Sequence, residues 1–427
     1  MAEAMKVLLI SASTEKVNLP TLPLGLACVA AAVHKAGHEV SMIDLKIEED
    51  TRPLIKDAVQ GFEPEVIGIS VRNIDDQNMG NPGFLLAPVK NMVTSCRSCS
   101  DAILVLGGAG YSIFPEKALA YLGADMGIQG EGEVVFPELI ARIAQGIDLS
   151  RLPGLCLPGL GLHHDRVFAE DLDSLPLPEP RAWPLASQRK ELWMPVQTKR
   201  GCPLDCSFCS TASIEGRNPR RRSPRAVVEW IGRWRKHGVR QFYFVDNTFN
   251  LPLSHAKEIC RKLIDEDLDI RWWSILYPKD VDEELAGLMA RAGCEQVAVG
   301  FESGSHRMLK RMNKKFTVQE VRQVSKRLSD CGIRRMGFLL LGGPGETRES
   351  VEESLTFADS LKLDSLKITE GIRIYPHTPL AKRAVEEGII PSEEDLLFPR
   401  FYLARNLEGW LAETLKGWMV PRPQWVI

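Results

Sequence analysis

"TKRGCPLDCSFCS", residues 198–210, places Cys202, Cys206 and Cys209 within eight positions. The stretch follows "ELWMPVQ" (191–197), whose apolar residues predict a strand, and it is rich in the small residues that loops use. Three thiols so closely spaced at the end of a strand indicate a bound metal ion or metal cluster.

The residue types leave three interpretations of these thiols. Zinc sites usually pair two CxxC knuckles, so a zinc ion would need a remote fourth ligand. A redox CxxC dithiol would leave Cys202 unexplained. A [4Fe–4S] cluster held by three cysteines leaves one iron open for a substrate or cofactor. Gly201, Pro203, Ser207 and Ser210 would let backbone amides approach the sulfides of such a cluster.

Around this loop, residues 191–380 alternate apolar, strand-like runs with amphipathic helical runs. Strands are predicted at 191–201, 239–249, 269–278, 294–304, 333–347 and 365–380. Helices are predicted at 223–238, 253–268, 280–293, 317–332 and 350–364. The series predicts an open, partial (β/α)6 barrel related to the eight-fold TIM barrel, with its site at the carboxyl ends of the strands.

Residues 1–146 show a similar alternation with shorter strands. The strands are predicted at 6–11, 38–45, 65–71, 102–108 and 124–130. Helices are predicted at 24–37, from about 82 to 99, and at 133–146. Continuous apolar strands separated by helices indicate an α/β domain with a doubly wound parallel sheet, of flavodoxin or Rossmann type.

The ends of these shorter strands carry small residues, among them "SVRN" (70–73), "GGAG" (107–110) and "GEGE" (130–133). Ligands bind at the carboxyl ends of strands in such sheets, and small residues let a large ligand approach the backbone. Ordinary strand-to-helix turns have the same composition, so both interpretations stay open. No G-x-G-x-x-G follows the first strand, which disfavours a nicotinamide or flavin dinucleotide.

The remaining segments contain few candidate functional residues. Residues 147–190 are rich in proline, glycine and leucine and predict a linker or small hairpin, while 381–427 form a C-terminal extension. His163 and His164 are expected to be a solvated pair on a turn rather than metal ligands. Trp272 and Trp273 are expected to pack in the core and at its rim.

Composition limits the class of protein. The chain has 427 residues, 44% of them hydrophobic, and a formal net charge of −3, which gives no general attraction to nucleic acid or anionic membrane. No apolar run approaches the roughly 20 residues of a spanning helix, and "MAEAMKVLLISAST" lacks the pattern of a secretory signal. The other cysteines are scattered and expected to be reduced, which favours a cytoplasmic location.

The cysteine loop resembles the Cx3Cx2C motif of the radical S-adenosylmethionine superfamily, and the resemblance covers roughly residues 191–380. It implies that Cys202, Cys206 and Cys209 hold a [4Fe–4S] cluster, with the aromatic Phe208 before the last cysteine. It also implies reductive cleavage of S-adenosylmethionine to a 5′-deoxyadenosyl radical. An external one-electron reductant of the flavodoxin or ferredoxin type would supply the electron.

Later strand-end motifs extend this resemblance. In "FVDNTF", Asp246 and Asn247 would approach the methionine amino group, although the family often has two acidic residues there. In "VGFESG", Glu302 would accept hydrogen bonds from the ribose hydroxyls and Ser303 would support it. Either Arg334 or Arg335 would pair with the methionine carboxylate. The residues that the resemblance places against or near adenine are Leu340, Gly342, Gly343, Ile374 and Tyr375.

The first domain, with the barrel after it, resembles the cobalamin-binding subfamily of these enzymes. "PLGL" (23–26), "LVLGGAGYSIFPE" (104–116) and "IQGEGEVVFPELI" (128–140) carry this likeness. The residues it implies at a corrin site are Ser70, Val71, Arg72, Gly107, Gly108, Glu131 and Gly132. Because a D-x-H-x-x-G loop is absent after "LLISAS", cobalamin would bind without a protein histidine on cobalt.

These resemblances favour a cobalamin-dependent methyltransferase that acts on an unactivated centre of a small-molecule or peptide substrate. Another radical enzyme, without cobalamin, would rearrange or cyclise its substrate or transfer another part of S-adenosylmethionine. A non-enzyme class, an iron–sulfur electron carrier or a zinc-stabilised RNA-binding module, predicts no cleavage of S-adenosylmethionine. The low basicity of the chain argues against the RNA-binding module.

Overall fold

A computed structural model describes residues 4–12, 22–45, 50–162, 164–180 and 193–427. These residues form two compact units. The first contains the described residues of 4–76 and 83–180 together with 213–216, and the second contains 77–82, 193–212 and 217–427. Both units are α/β, as the alternating pattern predicts.

The first unit is built on a seven-stranded sheet with the order β2-β1-β3-β4-β5-β6-β7. Its strands are β1 (Lys6–Ser11), β2 (Glu39–Asp44), β3 (Val66–Ser70), β4 (Ile103–Gly107), β5 (Met126–Ile128), β6 (Leu155–Leu157) and β7 (Gly161–Leu162). The first five are parallel, and the order reverses after β1, as in a doubly wound sheet. The predicted parallel sheet is confirmed.

Helices flank this sheet. They are α1 (Leu24–Lys35), α2 (Arg52–Phe62), α3 (Leu86–Cys99), α4 (Ala109–Ile113), α5 (Pro115–Leu122) and α6 (Gly132–Gln145). One apolar cluster joins α1 and α6 to the strands, with Val7, Leu9, Val105, Phe136 and Leu139 at its centre. Continuous apolar strands need cover on both faces, which explains the run of buried residues in β1 and β3.

Two features of the first unit differ from what its hydrophobic pattern predicts. Helix α3 begins at Leu86 rather than near Pro82, because Asp76 accepts a hydrogen bond from the Gly83 amide at 3.0 Å and closes a loop. The hairpin β6–β7 adds two antiparallel strands beyond β5, within the segment predicted as a linker or hairpin. His164 is exposed, and His163 lies outside the described residues.

The second unit contains a seven-stranded parallel sheet with the order β18-β15-β14-β13-β12-β11-β8. Its strands are β8 (Met194–Val196), β11 (Gln241–Phe244), β12 (Arg271–Leu276), β13 (Cys294–Glu302), β14 (Arg334–Leu341), β15 (Ser365–Glu370) and β18 (Trp425–Val426). Two short antiparallel pairs are β9 (Lys199–Arg200) with β10 (Arg220–Arg221), and β16 (Ile372–Arg373) with β17 (Phe401–Tyr402). The six predicted strands follow in sequence order, which confirms the partial barrel.

The short helix α7 (Thr211–Glu215) begins in this unit, and its residues 213–215 belong to the first unit. The helices that follow the strands of the barrel sheet are α8 (Pro224–Lys236), α9 (Leu253–Asp265), α10 (Glu283–Arg291), α11 (His306–Arg311), α12 (Val318–Asp330), α13 (Arg348–Ser360), α14 (Pro379–Glu386) and α15 (Trp410–Met419). Of these, α8, α9, α10, α12 and α13 lie at the predicted places. Side-chain oxygens of Ser223, Asp282, Thr317 and Thr347 cap four of these helices, which fixes where they start. Trp272 is fully buried in β12, where its indole donates to the carbonyl of Ala292 at 2.7 Å.

The strand β18 was not predicted, and it covers the edge of the sheet beside β15. Trp425 stacks parallel to Trp418 with ring centroids 6.0 Å apart. The guanidinium of Arg422 lies within 5.0 Å of both ring centroids and bonds Asp359 at 2.8 Å. This cation–π arrangement holds the C-terminal segment on the barrel sheet.

Replacing Trp425 with Ala is expected to lower the free energy of unfolding of the second unit by about 3–5 kcal/mol, the usual cost of removing a buried Trp side chain. Trp425 is 4% exposed, so the indole leaves a cavity and an uncovered strand edge. Urea unfolding followed by tryptophan fluorescence measures the change. Val420→Ala, at a residue 85% exposed, is the control and should shift stability by less than about 0.5 kcal/mol. Equal free energies of unfolding for Trp425→Ala and the wild type would show that β18 does not stabilise the barrel sheet.

None of the helices in the described part of the chain is long and apolar enough to cross a membrane.

Candidate functional site

The three cysteines lie on a loop that starts at the carboxyl end of the first barrel strand. Cys202 is 8% exposed, Cys206 is half-buried and Cys209 is exposed, and none of the three is in a disulfide. The backbone of Gly201 has φ +85°, which favours glycine, and a Cβ there would collide with the carbonyl of Asn218. The sequence therefore turns sharply just before the first cysteine.

Asp246, after β11, fixes the start of this loop. Its carboxylate accepts bonds from the Thr198 amide at 2.8 Å, the Thr198 hydroxyl at 2.6 Å and the Lys199 amide at 3.2 Å. Asp246 is 1% exposed, and burial raises its pKa against the opposing effect of Lys199. These contacts make Asp246 a support for the cysteine loop, while its neighbour Asn247 is exposed at the same strand end.

Lys199 also holds the start of the cysteine loop in place through hydrogen bonds. Its buried ammonium donates to the carbonyls of Thr248, Phe249 and Leu251. The loop after β11 is in turn bonded to the end of β12, because the Asn250 amide donates to the Tyr277 carbonyl at 2.9 Å and accepts from the Tyr277 amide at 2.9 Å. Three consecutive strand ends are thus tied together beneath the cysteines.

Lys314 lies at the centre of the site, and sequence reasoning missed it. Its ammonium pairs with Glu302 at 3.2 Å, bonds the Cys206 side chain and lies 5.1 Å from the ring centroid of Phe208. Burial lowers the pKa of Lys314, but Glu302 and Cys206 outweigh burial and hold the pKa above its usual value. Burial also raises the pKa of the Cys206 thiol, against the opposing effect of Lys314.

Glu302 occupies a special backbone position at the end of β13. Its φ is +59°, and the pairing of β13 with β14 shifts register between Gly300 and Glu302. Such a bulge re-aims a side chain, and the carboxylate passes over Gly300, where a Cβ would lie 3.0 Å from its oxygen. Ser303 does not bond Glu302: its hydroxyl meets Ser354 at 2.9 Å and stabilises the turn that follows.

The glycine turn after β14 is organised around Glu346. One carboxylate oxygen accepts the amide of Gly342 at 2.5 Å and that of Gly343 at 3.0 Å. The other oxygen is buried without a hydrogen-bond partner. Burial raises the pKa of Glu346 to about 7. Gly342 has φ +101°, so a side chain would strain this turn.

Because folded Glu346 holds its proton more tightly than the unfolded residue, the free energy of unfolding should fall between pH 4.5 and about 7 and level off above it. The expected fall is about 3 kcal/mol. Glu346→Gln should flatten this dependence, measured by urea unfolding from pH 4.5 to 8. Glu353→Gln, an exposed position on α13, should keep the slope of the wild-type protein. If the free energy of unfolding of Glu346→Gln depends on pH as that of the wild type does, Glu346 is not the group responsible.

The other side chains implied near adenine lie in the buried part of this unit. Leu340 is in β14, and Ile374 and Tyr375 follow β16; all three are buried. The chain beyond Tyr375 returns to the cysteine loop, where the Leu380 amide donates to the Ser207 carbonyl at 2.9 Å. The segment after the sixth predicted strand is thereby joined to the loop.

Arg334 and Arg335 are not brought to this site, which corrects their assignment to a methionine carboxylate. Both stand at the amino end of β14, whereas Gly342 follows its carboxyl end. Eight residues of strand separate Arg334 from Gly342, about 26 Å at the usual rise per residue. Arg334 instead lies 5.9 Å from the Trp273 ring centroid, and Arg335 donates to the carbonyl of Lys362 at 2.8 Å.

The cysteine loop fits an iron–sulfur cluster better than a zinc ion. No group of three or more His, Cys, Asp or Glu side chains within the described ranges converges closely enough to hold one metal ion. Zinc needs four ligands within about 2.3 Å of a single point. A cubane cluster instead offers a separate iron to each thiolate, so three cysteines that form no disulfide and are spread along one loop suit it.

In the first unit, the residues implied at a corrin site share one edge of the sheet. Ser70, Val71 and Arg72 end β3, Gly107 and Gly108 end β4, and Glu131 and Gly132 follow β5. The Arg72 side chain is exposed at this edge, and the Glu131 carboxylate accepts the Ala169 amide at 2.7 Å.

The glycines of this edge serve two purposes. A Cβ on Gly108 would meet the Val71 carbonyl at 2.5 Å, and one on Gly132 would meet Val29 at 2.9 Å, so the fold itself needs both. A Cβ on Gly107 would meet only the Ile128 carbonyl, at 3.9 Å. Its backbone therefore presents an open surface that suits close approach by a flat ligand.

Comparison with known proteins finds two matching family models, one over the barrel and one over the first domain. Residues 196–358 match the model of the radical SAM superfamily, and residues 10–140 match that of the B12 binding domain. The chain is therefore a radical S-adenosylmethionine enzyme with a B12-binding domain, and [4Fe–4S], S-adenosylmethionine and cobalamin are its cofactors. This combination of two domains is the one found in cobalamin-dependent radical S-adenosylmethionine methyltransferases.

Individual relatives are distant but extend over most of the chain. An uncharacterised methyltransferase of Pyrococcus horikoshii is 28% identical over 91% of this chain and 85% of its own length. Tryptophan 2-C-methyltransferase of Streptomyces laurentii is 26% identical over 87% of this chain and 73% of its own length. The structure of TsrM from Kitasatospora setae, with cobalamin and a [4Fe–4S] cluster bound, has the same fold: the TM-score is 0.85 at 22% identity, with 100% of this chain and 91% of that chain covered.

Proposed function

We propose that this enzyme transfers the methyl group of S-adenosylmethionine, by way of bound cobalamin, to an unactivated centre of a small-molecule or peptide substrate. The observation that carries the proposal is the presence in one chain of a loop with three cysteines, none in a disulfide, at a barrel strand end and of an open glycine edge on a doubly wound sheet. The name of the Streptomyces laurentii relative, which methylates a carbon of tryptophan, supports a small-molecule acceptor.

The residues have distinct tasks in this proposal. Cys202, Cys206 and Cys209 hold the cluster, and Asp246 and Lys199 fix the loop that carries them. When bound, the cluster supplies electrons for cleavage of S-adenosylmethionine to a 5′-deoxyadenosyl radical and cobalamin carries the methyl group, while the protein positions and shields these reagents.

The strand ends hold the nucleoside part of S-adenosylmethionine. Glu302 is aimed by its bulge, so its carboxylate can accept hydrogen bonds from the ribose hydroxyls, and Lys314 pairs with it beside the cysteines. Asn247, exposed at the second strand end, would approach the methionine part. The glycine turn held by Glu346 leaves room for the flat adenine ring.

The edge formed by Ser70–Arg72, Gly107–Gly108 and Glu131–Gly132 is the proposed corrin site. Gly107 lets the ring approach the backbone, and the exposed Arg72 guanidinium can contact its polar substituents. We place the enzyme in the cytoplasm, because cysteines that form no disulfide and a reduced cluster need a reducing compartment.

Turnover with S-adenosylmethionine carrying a deuterated methyl group tests the function. After anaerobic loading with iron, sulfide and cobalamin, candidate small molecules and a reductant are added, and the products are identified by mass spectrometry. The proposal predicts a trideuterated product with S-adenosylhomocysteine in equal amount. Deoxyadenosine with a rearranged or cyclised product, and no S-adenosylhomocysteine, would show a radical reaction without methyl transfer.

A further inference from the structure

The segment 217–225, "RNPRRRSPR", is the most basic part of the chain. It contains Arg217, Arg220, Arg221, Arg222 and Arg225 and no acidic residue, although the whole chain has a net charge of −3. We call it the arginine segment. Arg217 and Arg221 are exposed, whereas Arg222 is buried and its amide donates to the Thr198 carbonyl at 2.8 Å. The segment is therefore an anchored ribbon with charges facing solvent.

The fold places this ribbon beside the cysteine loop. The strand β10, within the arginine segment, pairs antiparallel with β9, so that Arg221 lies opposite Lys199. Gly201 lies against the carbonyl of Asn218, next to Arg217. On the other side of Gly201 the chain continues into Cys202 and, seven residues later, into the exposed Cys209. A protein that contacts the arginine segment is therefore close to the cysteine loop.

Neighbouring acidic side chains neutralise part of the arginine segment. Glu229 pairs with Arg225 at 2.6 Å, and Asp205, which pairs with Lys315 at 3.7 Å, also interacts electrostatically with Arg217. Neither Arg217 nor Arg221 forms a salt bridge with any acid in the described parts of the chain. A positive field remains there, and such a field attracts acidic partners and orients their approach.

We propose that the arginine segment is the docking surface for an acidic one-electron carrier protein that reduces the enzyme, an inference that rests on the proposed function. One electron leaves the carrier and one is gained at the cluster, and no bond forms or breaks. Because electron transfer slows steeply with distance, a donor gains most by docking beside the cysteine loop. Residues 210–229 contain no aromatic side chain, which disfavours single-stranded nucleic acid as the occupant.

Charge reversal tests the surface. The double variant Arg217→Glu/Arg221→Glu should bind an acidic flavodoxin at least about tenfold more weakly, because like charges then face each other across the interface. Binding is measured with the oxidised flavodoxin by calorimetry, which requires no turnover. Reduction by the same flavodoxin should slow by a similar factor, whereas dithionite-driven formation of deoxyadenosine should stay within about twofold of the wild type, since small reductants need no docking.

Two controls define the outcome. Lys56→Glu/Lys236→Glu makes the same charge change at exposed positions elsewhere and should leave flavodoxin binding unchanged. Arg217→Lys/Arg221→Lys keeps the charge and should bind as the wild type does. Raising the salt concentration from 0.05 to 0.5 M, in round numbers, should weaken binding by the wild type far more than by the charge-reversed variant.

The proposal is overturned if charge reversal leaves the flavodoxin affinity unchanged. It is also overturned if the wild type binds an RNA oligonucleotide tightly through these arginines and does not bind flavodoxin. Failure of dithionite to produce deoxyadenosine with the loaded wild-type enzyme would instead refute the proposed function. The calorimetric result would still decide the docking surface.

Discussion

The variant Cys206→Ala is expected to retain its fold and to lose cleavage of S-adenosylmethionine down to background. Cys206 lies on a loop, so removing its sulfur sacrifices little core packing. A cluster held by two cysteines is expected to be lost or misplaced, because each thiolate binds a separate iron. Iron and sulfide content, together with deoxyadenosine and S-adenosylhomocysteine after turnover, measure the effect.

Cys331→Ala is the matched control for this variant. Cys331 is half-buried in the same unit, at the end of α12 and away from the motif. It should keep the iron content and activity of the wild type. A Cys206→Ala protein with full iron content and normal deoxyadenosine formation would contradict the assignment of the cysteine loop.

The variant Lys314→Met is expected to have the second large effect. Lys314 and Glu302 are 6% and 17% exposed, and breaking a buried ion pair on one side usually costs about 3–5 kcal/mol because a charge is left unpaired. Activity should fall about 10–100-fold, as for other residues that orient the ligands of a metal site. Urea unfolding, S-adenosylmethionine affinity and turnover together measure these changes.

A double variant tests whether Lys314 positions the S-adenosylmethionine site or only stabilises the fold. Lys314→Met/Glu302→Gln leaves no unpaired charge and should regain most of the lost stability without regaining S-adenosylmethionine affinity. Lys315→Met is the control, because Lys315 is 52% exposed and its ammonium makes surface contacts with Asp205 and Asn313. If the double variant recovers stability and affinity together, Lys314 only stabilises the fold.

The architecture was largely predictable because both sheets depend on long apolar strands and amphipathic helices. The start of α3 was not, since hydrophobic periodicity does not register the hydrogen bond from Gly83 to Asp76 that delays the helix. The strand β18 is two residues long and has no period, and it forms because the Trp418–Arg422–Trp425 stack holds it on β15.

The candidate site was predictable in its motifs and not in its internal contacts. The sequence indicates the three cysteines and Glu302, but only the fold brings Lys314 from the loop after α11 to both. The misplacement of Arg334 was avoidable, because it precedes the apolar run of β14 and must stand at the amino end of that strand. Asp246 was found by motif, whereas its bonds to Thr198 become visible only when β8 and β11 are neighbours.

Transfer of a labelled methyl group to bound corrin tests the central claim most directly. The enzyme is loaded anaerobically with its cluster and hydroxocobalamin, freed of excess corrin, and treated with a reductant and S-adenosylmethionine carrying a trideuterated methyl group. The account predicts about one corrin per chain, a trideuterated methyl group on that corrin, and an equal amount of S-adenosylhomocysteine. A chain that has a complete cluster but retains no corrin, or retains corrin that never acquires the label, would contradict it.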